Sequence, residues 1–301
     1  MPILFALCGP TGVGKSQLSL ELAARYHAEI IGVDSRQIYR GFAIGTAQPP
    51  VSAMQAVPHH LVNFCDPTRA YSAGDFCSDI RGILESHSEK NFILVGGTGL
   101  YLQSLMLGLP EIPEIDVSVR QTLEQECERN GLPWLCEQAR KADPEAMRDA
   151  DENNRHRVMR ILEVYRGTGR KLSEWKLERV GGVGEFPVYF VNRSREKLYA
   201  RINERVEQML RDGWLEEIHE LAKTVPLDAP AWQSLGYREL LDASRAPDFS
   251  TRSAEVTSVL DRVKQKTRNY AKRQITWFSR QINSVRIDLD TCKSPASECH
   301  P

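Results

Sequence analysis

The sequence predicts an α/β protein: a parallel sheet flanked by helices and interrupted by an inserted all-helical subdomain. Three features carry this reading. Residues 3–8 (Ile-Leu-Phe-Ala-Leu-Cys) form an unbroken apolar run, as a strand buried on both faces requires. Further short apolar runs alternate with helix-period stretches, the pattern of strand–helix–strand crossovers. From Leu109-Pro110-Glu111-Ile112-Pro113 to about Gly184 the pattern is helical and polar, without a convincing strand.

Taken in order, the first strand passes into a glycine-rich loop at 9–16, and Leu18, Leu20, Leu22, Ala23 and Ala24 predict a helix ending near Tyr26. Residues 29–33 (Glu-Ile-Ile-Gly-Val) read as a second strand closed by Asp34. A third buried strand is predicted at 92–95 (Phe-Ile-Leu-Val), followed by Gly96-Gly97-Thr98-Gly99 and a helix from Leu100 to Leu107. Gly181-Gly182-Val183-Gly184 is read as a flexible return from the insert, after which residues 187–192 (Pro-Val-Tyr-Phe-Val-Asn) rejoin the sheet. Long helices are predicted at 195–211 and 252–282, and the tail after Asp290 is expected to be disordered. The resulting division is a core of residues 1–112 and 185–290, a helical insertion of residues 113–184, and a tail of residues 291–301.

The octapeptide Gly9-Pro10-Thr11-Gly12-Val13-Gly14-Lys15-Ser16 matches G-x-x-x-x-G-K-[ST], with a buried strand before it and a helix after it. This makes the core P-loop NTPase-like. Glycines let backbone N–H groups turn toward phosphate oxygens, and the helix N-terminus adds partial positive charge. Lys15 supplies a full charge, and Ser16 can ligate Mg²⁺. The motif specifies a diphosphate or triphosphate group without saying which. A nucleotide-hydrolysing protein of this kind usually carries an apolar strand ending in Asp, which organises metal and water. The strand at 92–95 ends in Gly96-Gly97 instead. The acid at a strand end near the loop is Asp34, which suits a metal organiser, a general base or a turn cap.

Net charge is −1, so the chain is no polycation, but the charge is uneven. Residues 262–286 hold eight Lys or Arg and no Asp or Glu, and residues 155–179 hold eight against three Glu. Local basic clusters of this kind suit a phosphate backbone. The seven cysteines form no C-x-x-C pair, which argues against a disulfide framework or a zinc site and for reduced thiols. No apolar run is long enough to span a membrane, and Met1–Leu7 does not read as a targeting peptide, so a cytoplasmic protein is expected.

Several blocks resemble the tRNA dimethylallyltransferase (tRNA isopentenyltransferase) family in its bacterial form. They are the loop at 9–16, Asp34-Ser35-Arg36-Gln37-Ile38-Tyr39, Gly45-Thr46-Ala47 and Gly96-Gly97-Thr98-Gly99-Leu100-Tyr101. The likeness continues through residues 154–164 (Asn-Arg-His-Arg-Val-Met-Arg-Ile-Leu-Glu-Val) and 198–206 (Leu-Tyr-Ala-Arg-Ile-Asn-Glu-Arg-Val). It closes with Leu235-Gly236-Tyr237-Arg238-Glu239 and residues 270–278 (Tyr-Ala-Lys-Arg-Gln-Ile-Thr-Trp-Phe), covering roughly residues 3 to 285.

The resemblance implies transfer of a dimethylallyl group from dimethylallyl diphosphate to the exocyclic N6 of the adenosine 3′-adjacent to the anticodon, with release of diphosphate. It implies that Gly9–Ser16, with Lys15 and with Mg²⁺ at Ser16, stabilise the departing diphosphate, and that Arg205 adds a cation there. Asp34 would take the N6 proton, Thr98 would contact the reacting site, and Ser35, Arg36 and Gln37 would hold the adenine edge. Many relatives have a small residue in place of Arg36. RNA contacts are expected from Arg120, from His156, Arg157 and Arg160 in the insert, from Gln233 to Arg238, and from the helix carrying Lys272 and Arg273. Tyr270, Trp277 and Phe278, spaced i, i+7, i+8, suit either stacking on unpaired bases or the core face of a helix, and Trp277 is read as core. The paired His59 and His60 are assigned no chemistry. A monomer with no protein partner is expected. The competing readings are an isopentenyltransferase acting on free adenine nucleotides, a P-loop kinase, and a non-enzymatic RNA-binding regulator.

Overall fold

The computed structural model describes residues 2–148, 150–245 and 254–301. Elements run in chain order as β1 (Ile3–Cys8), α1 (Lys15–Tyr26), β2 (Ala28–Val33), α2 (Val51–Ala56), β3 (His59–His60), α3 (Ala73–Ser86), β4 (Asn91–Gly96) and α4 (Gly99–Leu107). There follow β5 (Leu109–Pro110), α5 (Val117–Asn130), α6 (Leu132–Ala142), α7 (Pro144–Arg148), α8 (Arg155–Thr168), α9 (Leu172–Trp175) and β6 (Arg179–Val180). The chain closes with β7 (Val188–Asn192), α10 (Arg195–Arg211), α11 (Trp214–Thr224), α12 (Tyr237–Ser244), α13 (Ala254–Gln281) and β8 (Val285–Asp288). Two compact units result: Met1–Gln103 with Glu185–Pro301, and Ser104–Gly184.

The first unit is built on a six-stranded sheet in the order β3-β2-β4-β1-β7-β8. Every pairing in it is parallel. The expected P-loop-type α/β core is therefore present. Its interior strands are the predicted apolar runs, because strands covered on both faces by helices need apolar side chains on both. β1 lies between β4 and β7, with Phe5, Ala6, Leu7 and Cys8 fully buried. One core packs β1 and β2 against α1, α10 and α13 through Leu22, Ile30, Leu198, Ile202 and Ala271. A second core gathers Phe42, Trp214, Trp232 and Tyr237 with α11 and α12.

The sheet gains two strands that lack an apolar run in sequence. β3 is two half-buried histidines at one edge. β8 occupies the other edge with only Ile287 buried, so three of its four residues face solvent and leave no hydrophobic signature. Both are edge strands, where one side of the ladder has no neighbour to bury. The long helix predicted from 252 is described from Ala254 to Gln281, and residues 252 and 253 lie outside the described residues.

The second unit is a helical cluster whose core is Leu123, Leu135, Ala139, Val158, Ile161 and Leu162 from α5, α6 and α8. It begins at Ser104, ahead of the predicted boundary at 113. The reason is a two-residue antiparallel ladder, Leu109 opposite Val180 and Pro110 opposite Arg179, which ties the start of the segment to its end. The segment thus does contain strand structure, too short to show a period.

The tail is a correction. The sequence reading expects residues 291–301 to be disordered, but they are packed on the first unit. The Tyr26 hydroxyl donates to Cys299 O at 2.6 Å, Arg25 Nη1 donates to Ala296 O at 2.5 Å, and the Tyr189 hydroxyl donates to His300 O at 2.8 Å. Ala296 and Cys299 are buried in the β1 core. Side chains from α1 and β7 supply the anchors, so the polar composition of the tail itself gave no sign of its order. All seven cysteines are free, as reduced thiols require.

Removal of residues 291–301 is therefore expected to lower stability by about 2–4 kcal/mol, from lost hydrogen bonds and apolar burial. Thermal unfolding of the truncated and full chains measures this. An unchanged melting temperature would mean the tail contributes nothing.

Candidate active site

Strand register creates the site. Cys8 of β1 and Val33 of β2 are both level with Gly96 of β4. The next residues along these strands are Gly9, Asp34 and Gly97, so the phosphate loop, the carboxylate and the Gly97-Thr98 turn emerge side by side at the carboxyl edge of a parallel sheet. That edge is where such sheets bind ligands. The approach is close: a Cβ on Gly96 would stand 2.0 Å from Val33 O. Val33 O accepts from both Gly97 N–H and Thr98 N–H at 3.1 Å.

The loop's own carbonyls are held by cations. Lys15 Nζ donates to Gly9 O at 2.8 Å and Pro10 O at 3.0 Å. Arg201 Nε donates to Gly12 O at 3.0 Å, and Arg193 Nε donates to Val13 O at 2.8 Å. Arg193 is itself braced by Asp290 at 3.0 Å. Hydrogen bonds from Ser194 and Arg193, with Lys197 nearby, hold the Asp290 carboxyl down to about 2. Arg205 Nη2 donates to Thr11 Oγ1 at 2.5 Å, while its Nε is buried with no protein partner. Gly14 caps α1 from the left-handed region (φ 113°), offering no side chain to the first-turn N–H groups. An uncapped helix start with cations around it is an anion site.

Burial pushes Lys15 from the ordinary value of 10.5 down to about 8, against the opposing pull of the Asp34 carboxylate. Burial likewise pushes Arg205 down to about 10, with Asp34 again opposing. Asp34 thus acts electrostatically on both cations. Its Oδ1 accepts from Arg36 N–H at 2.8 Å and Gln37 N–H at 3.3 Å, an Asx turn that aims the carboxylate. The predicted cap and the predicted site acid are the same group.

Thr98 Oγ1 accepts from Ser35 N–H at 3.1 Å. The Tyr270 phenol is driven well above its ordinary range by burial and by the Asp34 carboxylate. Tyr270 therefore lies within electrostatic reach of Asp34, at the candidate site. Phe278 is core, packed on Phe190 with ring centres 5.3 Å apart. Trp277 is half-buried over Gly99, where a Cβ would meet the ring at 2.0 Å. Arg36 Nη1 donates to Pro230 O at 3.2 Å. Gln37 Nε2 donates to Ala47 O at 2.6 Å and Thr46 O at 3.0 Å, so its amide nitrogen fixes the 46–47 turn.

The outlying residues are distributed as follows. In the first unit Lys272 and Arg273 are exposed on α13, with Arg273 over the Tyr270 ring at 5.7 Å. Gln233 is exposed, and Arg238 donates to Leu227 O. In the second unit His156, Arg157 and Arg160 are exposed along α8, with Arg160 paired to Glu163 at 2.9 Å. Arg120 on α5 pairs with Glu124 at 3.3 Å.

Among the described residues no group of three or more His, Cys, Asp or Glu is placed to hold a metal. A divalent ion would take most of its oxygens from phosphate and water, the habit of Mg²⁺ at phosphate sites. The exposed Ser16 hydroxyl at the start of α1 fits that mode.

The family model described as "IPP transferase" matches residues 37–281. The chain belongs to the IPP transferase family. A tRNA dimethylallyltransferase of Fusobacterium nucleatum is 39% identical over 288 residues, covering 94% of this chain and 91% of the relative. That of Salinibacter ruber is 39% identical over 285 residues, covering 93% and 85%. Among solved structures, the full-length tRNA isopentenylpyrophosphate transferase of Bacillus halodurans is 32% identical with a TM-score of 0.68, covering 98% of this chain and 93% of that one. A eukaryotic dimethylallyltransferase acting on tRNA is 28% identical with a TM-score of 0.74, covering 98% and 77%. The family match begins beyond the loop and Asp34, but the relatives align along nearly the whole chain. Neither the kinase reading nor that of a non-enzymatic regulator accords with this family.

Sequence reasoning missed Arg193, Arg201 and Gln274. Arg201 and Gln274 lie inside blocks that carry the family resemblance, and this was the available signal; Arg193 has none. Because the folded pKa of Lys15 lies below its unfolded value, its burial costs stability below about pH 8, and the cost fades as pH rises toward 10.5. Lys15→Met removes this cost but also takes the donor from the Gly9 and Pro10 carbonyls, so its melting temperature relative to wild type is expected to fall as pH rises from about 8 toward 10.5, while inorganic diphosphate no longer binds. Melting curves across that range check it, and a pH-independent gap would contradict it.

Proposed function

We propose that this chain is a tRNA dimethylallyltransferase, an enzyme that moves a dimethylallyl group from dimethylallyl diphosphate to N6 of the adenosine 3′-adjacent to the anticodon. The single observation that carries this reading is the alignment of the cation-braced phosphate loop with the Asp34 carboxylate at one sheet edge. In nucleotide-hydrolysing proteins with such a loop an apolar strand usually ends in an acid that organises metal and water, whereas β4 ends at Gly96 and is followed by Gly97.

In this reaction the N6 lone pair attacks C1 of the prenyl group as the C1–oxygen bond breaks, and the bonding pair leaves with the diphosphate. The N6 proton passes to Asp34. An adenine amine is a weak nucleophile, so a carboxylate aimed by an Asx turn is a fitting acceptor. Lys15, Arg205 and the α1 N-terminus stabilise the charge that grows on the leaving oxygens. Mg²⁺ held at Ser16, when bound, would neutralise further diphosphate charge. The Thr98 hydroxyl, held by the Ser35 N–H, orients the reacting edge, with Ser35, Arg36 and Gln37 beside it.

The target base must leave its stack, at a cost of about a few kcal/mol. Contacts elsewhere on the RNA offset that cost. We assign them to Lys272 and Arg273 on α13, to Gln233 and Arg238, and to Arg120, His156, Arg157 and Arg160 in the helical unit. Among the described residues no helix is long and apolar enough to cross a membrane. Cytoplasmic action is part of the same proposal.

The direct test incubates the protein with unmodified tRNA, Mg²⁺ and dimethylallyl diphosphate, followed by mass analysis of the nucleosides. N6-dimethylallyladenosine is expected; turnover of AMP without tRNA would instead identify an enzyme of free nucleotides. Asp34→Ala should lower the rate of transfer by about 10²–10⁴-fold and leave tRNA affinity nearly intact. Retained turnover with lost binding would remove it from the chemistry. Replacing Lys272 and Arg273 together by Ala should flatten the slope of log K against log salt by about 1–2, since each cation neutralises one phosphate. An unchanged slope would place both residues off the RNA.

A further inference from the structure

We propose that Gln274 is a positioning residue that sets the donor's diphosphate against the nucleophile's side of the site; this rests on the reading above. Gln274 is only 6% exposed and lies on α13. Its Oε1 accepts from Thr11 N–H at 2.9 Å, and its Nε2 donates to Gly97 O at 2.9 Å. One amide group therefore joins the phosphate loop after β1 to the turn after β4. The fit is tight, since a Cβ on Gly97 would stand 2.2 Å from Nε2.

Both ends of this bridge are functional. Thr11 is held twice, through its N–H by Gln274 and through its hydroxyl by Arg205. Gly97 precedes Thr98, and both share the Val33 carbonyl next to Asp34. The leaving group is held on one side and the proton acceptor on the other, so the distance between reacting atoms depends on the link between them. Misplacement on the scale of an ångström costs rate steeply in such reactions. A side-chain amide offers a donor and an acceptor side by side at a planar end, and Asn is a methylene too short to span the gap.

The test compares wild type with Gln274→Met, which keeps the volume and removes both hydrogen bonds. Inorganic diphosphate is titrated calorimetrically into each, and steady-state kinetics are taken with tRNA and dimethylallyl diphosphate. The Kd for diphosphate and the KM for the donor are expected to rise by about tenfold, as for loss of a buried hydrogen-bonded group, with kcat also reduced. Affinity for tRNA should stay within about twofold, the scatter of a remote substitution. A lower melting temperature with unchanged diphosphate Kd and donor KM would show a structural role only and overturn the proposal.

If Gln274→Met does not fold, Gly97→Ala displaces the same amide from the other side, its added Cβ also standing 3.0 Å from Gly9 O. It too should weaken diphosphate binding; wild-type affinity in that variant would also overturn the proposal. Should wild type transfer no prenyl group to tRNA, the functional reading fails, while diphosphate titration still decides the role of Gln274.

Discussion

The site depends on which way the loop backbone faces. A run of peptide groups can turn its N–H atoms toward an anion only if its carbonyls find partners on the far side. Here Lys15 takes the carbonyls of Gly9 and Pro10, Arg201 that of Gly12, and Arg193 that of Val13. In the proposed reaction these cations would act on the phosphate twice over, by their charge and by the orientation they impose on the peptide dipoles. Burial of Lys15 and Arg205 opposes folding, and the Asp34 carboxylate offsets part of that opposition. Function and stability pull in opposite directions at this edge of the sheet, as is usual where charge is preorganised.

The parallel sheet sets this loop beside the other residues of the proposed site. Level strand ends bring the loop, Asp34 and Thr98 together, and the register shift between β1 and β4, at Ile3 to Phe5, lies at the far end of β1 from the site. The Gly96-Gly97 pair does more than replace a strand-end acid. Gly96 lets β4 close on the Val33 carbonyl, and Gly97 leaves room for the Gln274 amide. α13 then presents Tyr270 and Gln274 inward and Lys272 and Arg273 outward, so one helix faces both the chemistry and the solvent.

What was legible in the sequence was what is local. The octapeptide, the strand before it and the strand-end acid carry their meaning in a few adjacent residues. The bracing groups do not, because Arg193, Arg201 and Gln274 reach the loop from 180, 189 and 263 residues away. An arginine on an amphipathic helix looks like a solvated charge until its partner is known. Tyr270 suited base stacking or core by its spacing, and only the fold brings its buried phenol within reach of the Asp34 charge. Edge strands β3 and β8 escaped because they bury almost nothing. The ordered tail escaped because its anchors are Arg25, Tyr26 and Tyr189, far upstream.

The position of the braces has a consequence for biosynthesis. The loop precedes the helical insert in the chain, whereas Arg193, Arg201, Arg205, Gln274 and Asp290 all come after it. β1 also waits for β7 on one of its sides. During vectorial synthesis Lys15 is the one carbonyl-bracing side chain made together with the loop, and Arg193 and Arg201 follow only after the insert. The loop therefore reaches its final backbone geometry only once the chain beyond the helical insert has folded back onto it.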